Sequence, residues 1–159
     1  MQKTELSERE KERKFIISAV AHFASSELYD CYGVHATSDN YYTPDIAIGD
    51  SQLNEELVRS LVKRGVLAEK EGEIVSEFNR VLWENVEKID HHSFEKFEEW
   101  LEQDPHWKRI QTAARKALQK LGADLKAWED ANIDWSKVGL HRPEKYRHPA
   151  GPSPTSSSG

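Results

Sequence analysis

Cys31 and His35 stand four residues apart, a spacing that sets a thiol and an imidazole on one face of a helix as a thiolate–imidazole pair would need. Gly33 lies between them as a helix stop, and a lone cysteine on an apolar stripe is usually core. Nucleophilic catalysis is therefore not expected. Of the seven histidines, His91 and His92 are adjacent and would point about 100° apart on a helix. His22, His35, His106, His141 and His148 fall in different elements, and no His-Glu-x-x-His pair exists to seat a metal. Asp30, Asp39, Asp45 and Asp50 lie near His35 in sequence, but nothing in their spacing requires a cation. There is no phosphate-cradling glycine loop, no Gly-x-Ser-x-Gly and no dinucleotide fingerprint. A non-enzyme with no cofactor and no metal is expected, a metal-assisted enzyme being the third reading.

Recognition is better served. Gln52, Asn54, Arg59 and Lys63 fall on the outer side of one amphipathic segment, whose inner side is Leu53, Leu57, Val58, Leu61 and Val62. Further on, Trp107, Trp128, Trp135 and Tyr146 are interleaved with ten lysines and arginines between Lys108 and Arg147. Such a mixture can stack on unpaired bases, although Trp107 and Trp128 fall on an apolar stripe and are most simply core. The segment HRPEKYRHP, with Arg142, Lys145, Tyr146, Arg147 and His148, suits an acidic groove on a partner or the acidic residues 68–104 of the chain itself.

These side chains must be held by helices. Ser7 to Glu10 is a capping box opening a helix whose apolar stripe, Phe15 to Cys31, runs to Gly33. The stripe is wide, so this helix is expected to pack deeply or to be shared with a second subunit. Residues 34–42 read as a polar loop. Thr43-Pro44 starts a short helix ended by Gly49, and Ser51 is the expected cap of the next, which stops at Gly65. Val66 to Lys70 and Glu73 to Glu77 read as two strands around a Glu71-Gly72 turn. From Phe78 the period is helical again, with a break expected at residues 90–93. Asp104-Pro105 starts a helix carrying Trp107, Ile110, Ala114, Ala117, Leu118 and Leu121, which Gly122 interrupts. The Pro- and Ser-rich end cannot bury enough surface to order itself. One helical domain over residues 1–140 and a basic, then disordered, tail over 141–159 are expected, with no internal repeat.

Leu57 to Leu67, LVRSLVKRGVL, with the hairpin expected after it, resembles the recognition helix and wing of the MarR-type winged helix-turn-helix regulators. The resemblance covers residues 43–78. It implies a mainly α fold with a winged-helix-like core and one small β-hairpin. Long N- and C-terminal helices would flank that core and dimerise, and the wing tip would sit at Glu71.

The 159 residues carry 22 basic and 28 acidic side chains. Residues 68–104 form an acidic block and residues 105–159 a basic one. The expected wing, Glu69-Lys70-Glu71-Gly72-Glu73, is acidic where a DNA-binding wing needs cations to neutralise phosphates. Glu55 and Glu56 would likewise repel a backbone at the head of the recognition helix. A protein partner is thus favoured, in a regulatory or adaptor role, with DNA as the alternative. No apolar run is long enough to span a membrane, and no signal peptide opens the chain. The single cysteine excludes an internal disulfide, and a cytoplasmic location is expected.

Overall fold

Ser25 bends the chain where one long helix was expected. The computed structural model describes residues 7–51, 53–89 and 97–146. In it α1 (Glu8–Ala24) opens with the expected capping box, Ser7 Oγ accepting from Glu10 N at 3.1 Å. The helix ends at Ala24. The Ser25 hydroxyl accepts from Leu28 N at 3.0 Å and so starts α2 (Ser26–Tyr29), which runs into a π-helical turn, Asp30–Val34. A serine competes with the helix backbone for hydrogen bonds, and that competition ends one helix and caps the next.

Thr43 and Pro44 open α3 (Pro44–Asp50) as expected. α4 (Glu55–Lys63) is capped by Asn54, whose Oδ1 accepts from Leu57 N at 2.8 Å. The expected cap, Ser51, lies too early. Gly65 supplies the left-handed stop at φ 77°, and Val66 is buried behind it.

The expected β-hairpin is not there. Residues 69–77 are the first half of α5 (Glu69–Val86), and no strand occurs among the described residues. Two features explain the difference. Glu71 reaches back to accept from Ala68 N at 3.0 Å, which closes the first turn of a helix. Gly72, Val75, Phe78, Asn79, Leu82 and Asn85 are all buried, a row of helical period that strands could not keep on one side. The glycine that read as a turn residue lies in a helix–helix contact instead. The winged-helix-like core expected over residues 43–78 therefore has helix in place of its wing.

α6 (Phe97–Gln103) leads into α7 (Pro105–Lys120), capped by Asp104, whose Oδ1 accepts from His106 N and Trp107 N at 2.8 and 3.0 Å. α8 (Leu125–Asn132) and two 3-10 turns, Trp135–Val138 and Glu144–Tyr146, complete the chain. α7 is the central beam, packed against α1 on one side and α5 on the other. Most of the stripe of α1 is covered from within the chain, with Ile16, Val20, Ala21, Phe23 and Ala24 buried, while Phe15 at its start is 51% exposed. Trp107, fully buried, joins the layers: its ring lies 5.2 Å from Tyr29, 6.0 Å from Trp100 and 6.4 Å from Phe23. Among the described residues no helix is long and apolar enough to cross a membrane.

Candidate functional site

The residues expected to recognise a partner separate into three groups. Arg59 and Lys63 are exposed and adjacent on α4. Asn54 sits on the same helix, but its side chain is committed to the N-cap described above. Gln52 and Arg147 lie outside the described residues. Glu71 is no wing tip: besides its bond to Ala68 it is ion-paired with Arg13 of α1. Partial burial pulls its carboxyl upward, and the Arg13 hydrogen bond and the Ala68 N–H outweigh that and hold it below the ordinary glutamate value.

Arg142, Lys145 and Tyr146 come together, folded back onto the N-terminal third; Glu98, Leu101 and Glu102 of the acidic block line one cavity with Lys145 and Tyr146. Arg142 forks onto Glu27, with Nε to Oε2 and Nη2 to Oε1 both at 2.7 Å, and reaches Asp130 through Nη1 at 2.6 Å. Glu27 is 1% exposed and takes a third donor, Trp135 Nε1, at 2.8 Å. A buried carboxylate needs this set of partners to remain charged. Tyr146 donates its hydroxyl to Asp30 Oδ2 at 2.7 Å and stacks on Trp135 with ring centres 5.9 Å apart. Lys145 Nζ lies 3.6 Å from the same Asp30 oxygen and 5.0 Å from the Tyr146 ring centre. Residues 142–146, expected within the tail, thus form a clasp. No local pattern in the sequence could have shown Glu27 as its anchor.

Cys31 and His35 do not make a nucleophilic pair. Cys31 is fully buried, and its thiol is pushed up to about 12, first by burial and then by Glu27, Asp30 and Asp134. His35 turns to Asp30, with Nε2 3.7 Å from Oδ1. Among the described residues no three His, Cys, Asp or Glu side chains gather to hold a metal ion. His91, His92, His148 and the side chains of Asp45 and Asp50 lie outside the described residues.

A groove of about 520 Å³ lies between α5 and α7. Its floor is Ile74, Phe78 and Val81 from α5 with Ala113 and Ala117 from α7. The alanines keep that floor low, so a second backbone can approach closely. The two walls differ. On α5, Glu77 and Glu84 are both tied to Arg80, at 2.5 and 2.7 Å, and the Arg80 hydrogen bond lowers the carboxyl of Glu77. On α7, Lys108, Thr112, Lys116 and Lys120 recur every fourth residue and so stand in one row. Among the described residues none of these lysines has a carboxylate within ion-pair distance. The groove therefore combines an apolar floor with one wall of lysines without ion-pair partners, although Lys116 and Lys120 still act at longer range on Glu77 of the opposite wall. In the sequence these lysines stand only within a basic, tryptophan-interleaved stretch; the opposite wall runs from Ile74 to Asn85 of α5, where the helical path of residues 69–77 adds Ile74 and Glu77.

The chain matches no protein-family model, no curated protein and no solved structure.

Proposed function

We propose that this is a non-enzymatic recognition protein, an adaptor whose α5–α7 groove receives an acidic amphipathic helix of a partner protein. The observation that carries the reading is the pairing of an apolar floor with the free lysine row on one rim. Helix-in-groove recognition uses these two parts, apolar anchors below and charge at the edge to fix orientation. From Lys108 to Lys120 the row spans about 18 Å at the rise of an α-helix, which matches three turns of a docked helix.

Support for a protein over DNA comes from the same surfaces. A row of cations above an apolar floor suits a side-chain stripe better than a phosphate backbone. On α4, Glu55 and Glu56 occupy the first turn ahead of Arg59 and Lys63, where a DNA-reading helix needs donors and cations.

The test uses a synthetic helical peptide with leucines at one face and glutamates on the flank, a lysine-flanked counterpart, and a mixed-sequence DNA duplex. The acidic peptide should bind the wild-type chain, weaken as salt rises, and fail on Lys116→Glu with Lys120→Glu. Absence of peptide binding, or binding indifferent to the double charge reversal, overturns the proposal. Salt-steep binding of the duplex, lost in Arg59→Ala with Lys63→Ala, would establish the DNA alternative in its place.

A further inference from the structure

Ser18 of α1 pins two rings at once. Its carbonyl accepts from His22 Nδ1 at 2.7 Å, and its hydroxyl accepts from Trp128 Nε1 of α8 at 3.0 Å. The two rings meet edge to face, 4.9 Å apart at 71°, and His22 also packs against Tyr42 at 5.4 Å. With its proton on Nδ1, neutral His22 keeps Nε2 as a hydrogen-bond acceptor. These rings line an open pocket of about 310 Å³ together with Tyr41, which is 60% exposed in the loop before α3.

The polar groups around the rings share one arrangement: their nitrogens are engaged within the protein and their acceptors are left over. Asn40 Nδ2 donates to Lys137 O at 3.2 Å and Asn132 Nδ2 to Trp128 O at 2.8 Å. Among the described residues neither amide oxygen has a donor, and neither has His22 Nε2 or the exposed Asp39 carboxylate. None of them is sealed away. The one buried side-chain polar atom without a partner among the described residues is Trp107 Nε1, which lies elsewhere. His22 Nε2 and Asn40 Oδ1 are therefore accessible, on residues that line the pocket, and Asn132 and Asp39 are exposed.

Four acceptors thus edge an aromatic pocket that holds one cation, the exposed Lys137, whose charge also acts at range on Asp134. Such a surface calls for a ligand rich in donors and without net charge. A cation would be met by Asp39 and opposed by Lys137, and an anion would find the reverse. A sugar ring satisfies every part. Each of its hydroxyls donates as well as accepts, and its C–H face packs on an aromatic face. The volume stands at the lower end of small-molecule sites, which suits a single ring.

We propose that the pocket between α1, α8 and the loop 37–42 binds a neutral sugar ring, stacked on Tyr41 with hydroxyls donating to Asp39, Asn40, Asn132 and His22 Nε2. A free sugar and the terminal sugar of a glycan offer this same chemistry. The pocket shares no lining residue with the α5–α7 groove and does not depend on the function proposed for it.

The test titrates the full chain with the methyl glycosides of glucose, galactose, mannose and N-acetylglucosamine, following the Trp128 indole and Asn132 amide resonances by nitrogen–proton correlation NMR. Tetrahydropyran-2-methanol, which keeps the ring and one hydroxyl, and ethylguanidinium are the controls. One glycoside should shift both signals saturably at millimolar concentration, and the controls should not. Tyr41→Ala and Asp39→Asn, both at exposed positions, should each weaken binding about tenfold with the melting temperature unchanged. Lys116→Glu with Lys120→Glu should leave it as it is. A disaccharide ending in the preferred sugar that binds at least as well assigns the end of a glycan, and binding lost on adding the second sugar assigns a free sugar. No shift with any glycoside at its highest soluble concentration would show a merely hydrated pocket and overturn the proposal. So would equal shifts from the pyran control, tighter binding of the guanidinium, or binding that both variants leave unchanged.

Discussion

Gly72 of α5 lies directly against Val62 of α4: a Cβ built on the glycine would stand 2.4 Å from Val62 Cγ2. The two helices meet this closely because one contributes no side chain at the crossing. In a helix interior glycine costs roughly 1 kcal/mol relative to alanine, so its use here marks a contact that offsets that penalty.

Gly72→Ala should therefore destabilise the protein by about 1–3 kcal/mol despite the gain in helix propensity, since overpacking forces a stiff β-branched neighbour to move. Val62→Ala makes room, and the double variant should recover much of the loss. A denaturant-based double-mutant cycle measures the coupling. Additive effects would show that the crossing can relax without Val62.

Removing the guanidinium from the clasp should be more severe. Arg142→Ala leaves Glu27 charged and buried with only Trp135 as donor, which is expected to cost about 3 kcal/mol. Arg142→Lys should recover little, because one ammonium cannot reproduce the two-nitrogen fork. Glu27→Gln should be milder in the Arg142→Ala background than alone, a coupling between the two positions readable from urea midpoints.

Cys31 gives a pH signature. In the unfolded chain a thiol loses its proton near 9, whereas in the fold it keeps it to about 12. Between those values the folded state binds more protons than the unfolded, so stability is intact below 9 and falls as pH rises, by on the order of 1 kcal/mol per pH unit. Cys31→Ser should flatten that part of the stability profile. At pH 8 iodoacetamide should label Cys31 only after the protein is unfolded, since the reactive species is the thiolate.

Charge reversal in the groove should separate binding from folding. Lys116→Glu with Lys120→Glu changes exposed positions without ion-pair partners among the described residues, so the melting temperature should move by only a degree or two, as surface substitutions do. Loss of acidic-peptide binding at unchanged melting temperature is the expected result.

Much of the architecture was readable where its cause is local. The Ser7–Glu10 box, the Thr43-Pro44 and Asp104-Pro105 starts and the Gly65 stop each depend on a few neighbouring residues, and each is where the pattern places it. The hairpin failed because Glu71-Gly72 carries a turn signature that the longer period of Val75, Phe78 and Leu82 overrides. Ser25 was missed because its hydroxyl sits inside an otherwise unbroken apolar stripe. Of the site, the lysines were legible only as part of a basic stretch, because their common row and the groove beside it need the packing of α5 against α7. The Glu27 clasp brings together residues with no shared local pattern, Arg142 and Glu27 being 115 positions apart.

That separation bears on how the molecule is made. Synthesis is directional, so Glu27 leaves the ribosome with water as its only companion, long before Arg142 exists. Until then the pocket around Tyr29 and Trp135 cannot shut over a bare carboxylate without heavy cost. A chain ending before Arg142 would therefore have to bury Glu27 without its guanidinium partner, and is expected to be less stable than the full sequence.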